Sequence, residues 1–144
     1  MGVQQRIVAF RNRAMAFGLV GSVGFGIEAV ILQGLSLIGI QPIMGRGVSF
    51  PVAVTATWLL NKHYTFRDRP VTDTRTQYLL YLGGSLGGAA INLCAFIWTI
   101  RRWPALSSQP ILPLIVGSAL GLLFNYTWAN TLVFKGATPR LTGN

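Results

Sequence analysis

One acidic residue lies inside the first long apolar stretch of the sequence, and it raises the question of what chemistry the chain performs. The stretch Phe17–Ile38 contains a single charged residue, Glu28. A helix of this length, rising about 1.5 Å per residue, crosses the ~30 Å hydrocarbon core of a bilayer. A carboxylate near its middle costs roughly 2.5–3.5 kcal/mol on insertion scales. We therefore expect a functional role for Glu28, because a neutral amide could serve packing without that cost.

The other apolar stretches also carry polar residues behind strips of small residues. Residues four apart share one face of a helix, and in this register the strips lead to Glu28, Thr57, Asn92 and Asn125. The glycines of these strips are Gly21, Gly24, Gly84, Gly88, Gly117 and Gly121. Small residues let helices approach closely, so we expect these glycines to serve helix packing or a dimer contact. For the threonine and the two asparagines, interhelical hydrogen bonding and substrate binding both stay open.

A polar and basic run, Asn61–Phe66 followed by Arg67, ends the second apolar stretch. Lys62 and Arg67 would stand at headgroup depth, where cations can bind a lipid phosphate. Anchoring of the helix end by positive charge is an equal alternative for either residue. The sequence has one His, one Cys and three acidic residues. It offers no hydrolytic or metal-binding constellation, so we predict neither an enzyme nor a cofactor.

Membrane helices must position these residues. The chain is 51% hydrophobic and 10% charged, whereas soluble domains are about 25% charged. We predict an all-α polytopic membrane protein, since open sheet edges would leave backbone groups unpaired in lipid. Proline is tolerated in a first helical turn, which is where Pro51 falls in the second predicted span. Residues 1–144 are expected to form one membrane domain with four spans at about 14–38, 48–66, 78–100 and 111–134.

The basic residues predict the orientation of these spans. The side that holds both termini carries nine of them, Arg6, Arg11, Arg13, Lys62, Arg67, Arg69, Arg75, Lys135 and Arg140, and the other side carries three, Arg46, Arg101 and Arg102. This asymmetry places both termini in the cytoplasm. Because the net charge of +9 collects at the ends of apolar runs, we attribute it to membrane orientation and lipid contact, not to nucleic acid.

The chain also repeats itself. Val20–Gly24 (VGSVG) is similar to Gly83–Gly87 (GGSLG), and the second and fourth spans end in similar segments. Two helical hairpins in the same orientation are therefore expected, with Glu28 equivalent to Asn92 and Thr57 equivalent to Asn125. A site at the interface between such repeats is the arrangement found in transporters.

These features resemble the GtrA-like family of four-helix bacterial membrane proteins. The resemblance covers residues 17–134. It depends on Phe17–Gly21 opening the first span, the acid at Glu28, the Asn61–Phe66 segment, a glycine-rich third span reaching Asn92, and Asn125 followed by Val133 and Phe134. The chain departs from the family where the acid is Glu, often Asp or Asn in members, and at Ala129–Thr131, where basic residues are common.

The resemblance implies a translocase in the bacterial cytoplasmic (inner) membrane. Members are thought to move polyprenyl-phosphate-linked monosaccharides across the bilayer for lipopolysaccharide or surface polysaccharide modification. On that basis Lys62 and Arg67 would receive the phosphate, and Glu28, Thr57, Asn61, Asn92 and Asn125 would bind the substrate within the membrane. Four short helices make a thin wall, so we also expect a homodimer.

Two other functions stay open. A proton-coupled exporter of the small multidrug type also has four helices and a Glu in its first span, which Glu28 would match. A non-transporting membrane anchor for a glycosyltransferase is the second alternative. The charge asymmetry argues against the dual topology known among the exporters.

Overall fold

The computed structural model describes residues 3–69, 73–108 and 111–135, and all of its regular structure is helical over those residues. Four α-helices follow in chain order: α1 (Val3–Leu37), α2 (Pro42–Leu60), α3 (Thr74–Arg102) and α4 (Ile111–Trp128). Two of them continue into a π-helical turn, α2 over Asn61–Thr65 and α4 over Ala129–Val133. A short 3-10 helix, Pro104–Ser108, follows α3.

Three helical stretches among the described residues are long and apolar enough to cross a membrane: Phe10–Leu37, Thr74–Arg102 and Ile111–Val133. The helix α2 packs against α1 as its hairpin partner. The predicted all-α polytopic membrane fold is therefore confirmed. The orientation with both termini in the cytoplasm stays a prediction, and Arg140, one of the nine residues that support it, lies outside the described residues.

The first link is shorter than the sequence suggests. Gly39 has φ +83°, the amide of Ile40 donates to the carbonyl of Leu35 at 3.0 Å, and that of Gly39 donates to Ser36 at 3.0 Å. This left-handed glycine and its two bonds end α1 as a Schellman cap. Pro42 then starts α2, because a proline at the first helical position lacks only an amide that would have no helical partner.

This early start corrects one prediction. Pro51 was expected in the first turn of the second span, but α2 begins nine residues before it, and Pro51 lies inside the helix. Proline there removes one backbone hydrogen bond. The nearby hydroxyl of Thr55 donates to the Pro51 carbonyl at 2.8 Å. Pro113, in contrast, lies in the first turn of α4.

The helices form two antiparallel hairpins, α1–α2 and α3–α4, with far more extensive packing within each hairpin than between the two. The start of α1 meets the end of α4, where the Tyr126 hydroxyl donates to the Phe10 carbonyl at 3.3 Å. The end of α2 meets the start of α3, where the Trp58 indole donates to Gln77 at 3.2 Å. Both hairpins therefore point the same way. We call the shared end, which carries Arg13, Lys62, Arg67, Arg69 and Arg75, the basic end.

The buried core lies near this basic end. Its largest members are aromatic: Phe17, Trp58, Phe66, Tyr81, Tyr126 and Phe134. Phe66 and Phe134 are only 1% and 2% exposed, although most apolar side chains elsewhere face outward. In lipid, outward-facing apolar residues are in their favoured environment, so packing and not burial from water must hold the hairpins together. The core therefore joins the hairpins at one end and leaves the space between them open further along.

Glycines make the close contacts inside each hairpin. A Cβ at Gly117 would lie 2.6 Å from the backbone oxygen of Asn92, and one at Gly121 would lie 2.8 Å from that of Gly88. Gly24 faces Thr57, Gly84 faces Trp128 and Gly88 faces Asn125 with similarly little room. The buried strips Gly84/Gly88 and Gly117/Gly121 thus lie within the α3–α4 hairpin, and not on a surface open to a second chain. A Cβ at Gly21 would meet no atom within 4 Å, so this glycine borders open space, and its predicted part in helix packing or a dimer contact stays a prediction.

Candidate functional site

A cavity of about 570 Å³ lies between the two hairpins, within the size range of small-molecule sites; we call it the interhairpin groove. Its wall on the first hairpin includes Gly21, Gly24, Glu28, Arg46, Thr57 and Asn61, and its wall on the second includes Tyr81, Ser85, Gly88, Asn92, Ser118, Gly121 and Asn125. Five of the seven substrate-binding residues predicted from the sequence therefore line one space: Glu28, Thr57, Asn61, Asn92 and Asn125.

A hydrogen-bond network forms the floor of the groove. The amide nitrogen of Asn61 donates to the hydroxyl of Tyr81 at 2.9 Å, and its oxygen accepts from the hydroxyl of Thr65 at 2.8 Å. Asn61 is 1% exposed. Because both ends of its amide are occupied, Asn61 ties the first hairpin to the second and forms a fixed base beneath the groove.

An ion pair lies about three helical turns along α2 from Thr57, away from the basic end. Nη2 of Arg46 approaches Oε1 of Glu28 to 3.2 Å, and both residues line the groove. The Glu28 side chain is 20% exposed, whereas that of Arg46 is 64% exposed. Sequence reasoning assigned Arg46 only to the outer side of the membrane and missed it as the partner of Glu28. The signal available was its place one helical turn after Pro42, inside α2.

The second hairpin presents neutral polar groups to the same space. The amide nitrogen of Asn92 donates to the hydroxyl of Ser118 at 3.3 Å. Oδ1 of Asn125 is buried and has no hydrogen-bond partner among the described residues. On the facing hairpin, the hydroxyl of Thr57 donates to the Val54 carbonyl at 3.0 Å. Hydroxyls, amides and one ion pair in an otherwise apolar groove suit a ligand that carries both hydroxyl groups and a charge.

The two predicted phosphate-binding residues lie elsewhere. Lys62 stacks over the ring of Trp58, with Nζ 5.1 Å from the ring centroid, and Arg67 is exposed in the loop after the π-helical turn. Neither lines the groove. Phe66 and Phe134 belong to the aromatic core near the basic end, where Phe17 packs on Phe66 and Tyr81 packs on Phe134. The basic end and the groove are thus two separate features.

Arg69 fastens the basic end together. Its guanidinium donates to the carbonyl of Asn130 at 2.6 Å, to the side-chain oxygen of Asn130 at 2.8 Å, and to the carbonyl of Phe134. Burial lowers the pKa of Arg69, and the neighbouring charge of Arg13 lowers it further; an arginine nevertheless stays cationic at neutral pH. The loop after the first hairpin thereby caps the last carbonyls of the second hairpin.

The family comparison agrees with this architecture. The family model described as GtrA/DPMS, transmembrane domain, matches residues 16–134. The match begins one residue before Phe17, which lines the groove, and ends at Phe134, directly after the second π-helical turn. It confirms the resemblance inferred from the sequence motifs and associates the chain with polyprenyl-phosphate sugar handling in the membrane. The chain therefore belongs to the GtrA/DPMS transmembrane-domain family, and it is a multi-pass membrane protein.

Proposed function

We propose that this protein is a translocase that moves a polyprenyl-phosphate-linked monosaccharide across a bacterial cytoplasmic membrane. The observation that carries the proposal is the interhairpin groove, a cavity of about 570 Å³ that presents polar groups in an otherwise apolar wall, inside a bundle whose outer surface is apolar. A lipid-linked sugar has the same division, with a polar head and an apolar tail. The head would occupy the groove while the prenyl tail stays in the surrounding lipid.

The groove lowers the main energetic barrier to this movement. Each polar group that crosses the bilayer core without a hydrogen-bond partner costs several kcal/mol. A monosaccharide carries several hydroxyls, so unassisted crossing is prohibitively slow. Thr57, Asn92 and Asn125 all line the groove and offer donors and acceptors to those hydroxyls. Glu28 adds a strong acceptor, since hydrogen bonds to a charged group are about twice as strong as neutral ones.

The basic end has a different part in this proposal. Lys62 and Arg67 lie at the predicted headgroup level, where they would attract the anionic substrate lipid to the cytoplasmic face. The core around the stacked rings of Phe66 and Phe134 joins the two hairpins at the basic end. Translocation would therefore require the two hairpins to move apart at the basic end, so that the groove opens alternately toward each face.

No chemical step is required of the protein in this role, because the sugar lipid leaves unchanged. We expect the delivered lipid to be used by a membrane glycosyltransferase for lipopolysaccharide or surface polysaccharide modification. A homodimer remains part of the proposal. Its contact would have to involve faces other than the α3–α4 glycine strips, which are buried within the hairpin.

Reconstitution tests the proposal directly. The purified chain is placed in liposomes with a fluorescent polyprenyl-phosphate monosaccharide, and a membrane-impermeant reagent reports the fraction in the outer leaflet. We expect faster movement than in protein-free liposomes, and slower movement in Asn92→Leu. Arg101→Gln is the matched control, because Arg101 is exposed and does not line the groove.

Other outcomes would favour other functions. Absence of movement by a folded wild-type protein would contradict the translocase and favour a membrane anchor for a glycosyltransferase. Uptake of a cationic dye driven by a pH gradient, and abolished in Glu28→Gln, would favour a proton-coupled exporter. Movement of the sugar lipid at the same rate with and without the gradient would support the translocase over the exporter.

A further inference from the structure

We propose that Arg46 is the phosphate-binding residue of the interhairpin groove, and that Glu28 is the counter-ion that holds this position until the substrate phosphate replaces it. The identity of the ligand rests on the proposed function. The site itself rests on the geometry of the ion pair, whose two atoms are 3.2 Å apart in the wall of the groove. This moves the phosphate contact from the basic end to the groove.

Arg46 is the only cation among the described residues that line the groove. The other candidates, Lys62 and Arg67, are not among its lining residues: Lys62 lies over the ring of Trp58, and Arg67 is exposed in the loop after the π-helical turn. A phosphate that travels with its sugar into the groove therefore meets one positive charge there, and that charge belongs to Arg46. Its side chain is 64% exposed, so it is accessible to a ligand that enters the space.

The chemistry of the guanidinium fits this role. An arginine offers five N–H donors in a planar fork that matches the oxygens of a phosphate two at a time. The single close contact with Oε1 of Glu28 leaves most of these donors available. Charge-assisted, bidentate contacts of this type are the strong ones.

Glu28 has the complementary task. The Glu28 side chain is only 20% exposed and lies against the groove wall. In this medium of low dielectric, an isolated cation nearby would be costly. Its carboxylate compensates Arg46 while the groove is empty. When a phosphodiester arrives, its single negative charge can take over that task, and the carboxylate is then free to accept hydrogen bonds from sugar hydroxyls. Glu28 is thus the counter-ion of Arg46 until the substrate anion replaces it.

The repeat makes this site one-sided. The positions equivalent to Glu28 and Arg46 in the second hairpin are Asn92 and Leu114, neither of which is charged. The groove therefore has one anion-binding wall, on the first hairpin, and one neutral wall, on the second. A substrate would lie with its phosphate toward α2 and its sugar toward Asn92 and Ser118, so one chain binds one lipid in one orientation.

Binding of short lipids separates the site from transport. The full chain is held in nanodiscs of zwitterionic lipid, and the dissociation constants of farnesyl phosphate, farnesol and inorganic phosphate are measured. We expect Arg46→Gln to weaken farnesyl phosphate binding by about tenfold or more, the size of one lost charge-assisted bond. Arg46→Lys should restore part of the affinity. Glu28→Gln should strengthen binding several-fold, because the competing carboxylate is gone.

The controls keep the test specific. Farnesol affinity should be the same in all variants, and inorganic phosphate should bind far more weakly than farnesyl phosphate. Arg101→Gln is the matched control, an exposed cation that lies off the groove. The inference is overturned if Arg101→Gln weakens binding as much as Arg46→Gln does. It is also overturned if Glu28→Gln and Arg46→Gln shift the affinity in the same direction, as a purely structural ion pair would.

Folding and function have separate readouts. Size-exclusion profiles show whether each variant is folded. If Glu28→Gln aggregates, Glu28→Asp is used in its place. The Glu28→Asp variant keeps a carboxylate that competes with the phosphate for Arg46, so it should bind farnesyl phosphate no more tightly than the wild type does. Sugar-lipid movement that is equal in wild type and Arg46→Gln overturns the inference and leaves the translocase standing. Farnesyl phosphate binding that depends on Arg46, without any sugar-lipid movement, supports the site and contradicts the translocase.

Discussion

The ring of Phe66 stacks on the ring of Phe134, with centroids 4.5 Å apart and planes inclined by 9°. The two residues occupy equivalent places in the repeat, each directly after a π-helical turn, and their amides donate to Asn61 and Ala129 at the same distance of 2.8 Å. A residue that stacks on its own repeat equivalent marks the axis relating the two halves. The hairpins therefore meet symmetrically at the basic end.

The aromatic contacts on either side of this stack follow the same repeat symmetry. Phe17 lies 6.4 Å from Phe66, and its equivalent Tyr81 lies 6.1 Å from Phe134, both measured between ring centroids in edge-to-face geometry. Only the second of these positions carries a hydroxyl, and Asn61 binds it. The two halves thus share one aromatic framework, on which a few polar substitutions create differences between the hairpins.

The first prediction concerns this stack. Phe66→Ala and Phe134→Ala should each lower the free energy of unfolding by roughly 3–5 kcal/mol, the usual cost of truncating a buried Phe. In a double-mutant cycle the pair should show a coupling of about 0.5–1.5 kcal/mol, the amount attributed to aromatic pairing beyond burial. Denaturant unfolding in detergent micelles measures both quantities.

Leu79→Ala is the control for the stack, because Leu79 on α3 is 56% exposed and belongs to no core cluster. It should change the free energy of unfolding far less than either Phe substitution. Strict additivity of Phe66→Ala and Phe134→Ala would contradict a direct energetic link between the hairpins at this point.

The second prediction tests the close approach of α3 and α4. Gly121→Ala should destabilise the protein, since its Cβ would meet the backbone oxygen of Gly88 at 2.8 Å and a backbone atom has little freedom to move. Gly83→Ala on α3 is the matched control, with no atom within 4 Å of the added Cβ. It should be neutral or stabilising by up to about 1 kcal/mol, because alanine favours a helix more than glycine does. Equal thermal stability of the two variants in micelles would contradict the packing described.

Hydrophobic patterning was enough to predict much of this molecule. Apolar runs with proline-containing links indicated four helices, because in lipid each run has to satisfy its own backbone. The repeat placed Glu28, Thr57, Asn92 and Asn125 at corresponding positions, and all four line one groove. The grouping of these residues could be predicted from the sequence, because it depends only on helical register and on the order of the hairpins.

What sequence reasoning missed depends on contacts between distant residues. Arg46 was counted as an outer-side charge. Pro42 was a local signal for an early start of α2, but nothing local shows that this start turns the Arg46 side chain toward Glu28. Lys62 and Arg67 were placed with the substrate site because their charges suit phosphate. In the structure neither cation lines the groove, because Lys62 lies over the ring of Trp58 and Arg67 is exposed in the loop after the π-helical turn.

The third prediction concerns acid stability at the start of α3. Asp73 caps this helix, and the side chain of Thr76, then the amides of Thr76 and Arg75, lower the pKa of its carboxyl by hydrogen bonding. A depressed pKa stabilises the fold above the unfolded value of about 3.9, and that stabilisation is lost as the pH falls through the lower folded value.

We therefore expect the thermal stability of the wild type to decline below about pH 4 more steeply than that of Asp73→Asn. Asparagine retains a capping oxygen but does not titrate. Melting curves between pH 7 and the acid limit of the micelles measure the difference. Parallel curves for the two proteins would show that Asp73 makes no pH-dependent contribution.

The fourth prediction separates the two asparagines that differ most in their bonding. Asn61 uses both ends of its amide, so Asn61→Ala should remove one hydrogen bond from the hydroxyl of Tyr81 and one from that of Thr65, and cost roughly 1–3 kcal/mol of stability. Oδ1 of Asn125 has no partner among the described residues, although it is buried. Asn125→Ala removes that unsatisfied oxygen and should lower stability much less, or raise it.

In the transport assay we expect the opposite order, with Asn125→Ala the more damaging of the two substitutions. If the oxygen of Asn125 accepts a hydrogen bond from a sugar hydroxyl during crossing, Asn125→Ala should slow movement of the polyprenyl-phosphate sugar by about tenfold, the equivalent of 1.4 kcal/mol. The melting temperature and the rate of movement are measured on the same preparation, with Thr127→Ala as the control, an exposed residue of α4 that does not line the groove. Unchanged movement in a stable Asn125→Ala protein would mean that the unpaired oxygen has no contact with the substrate.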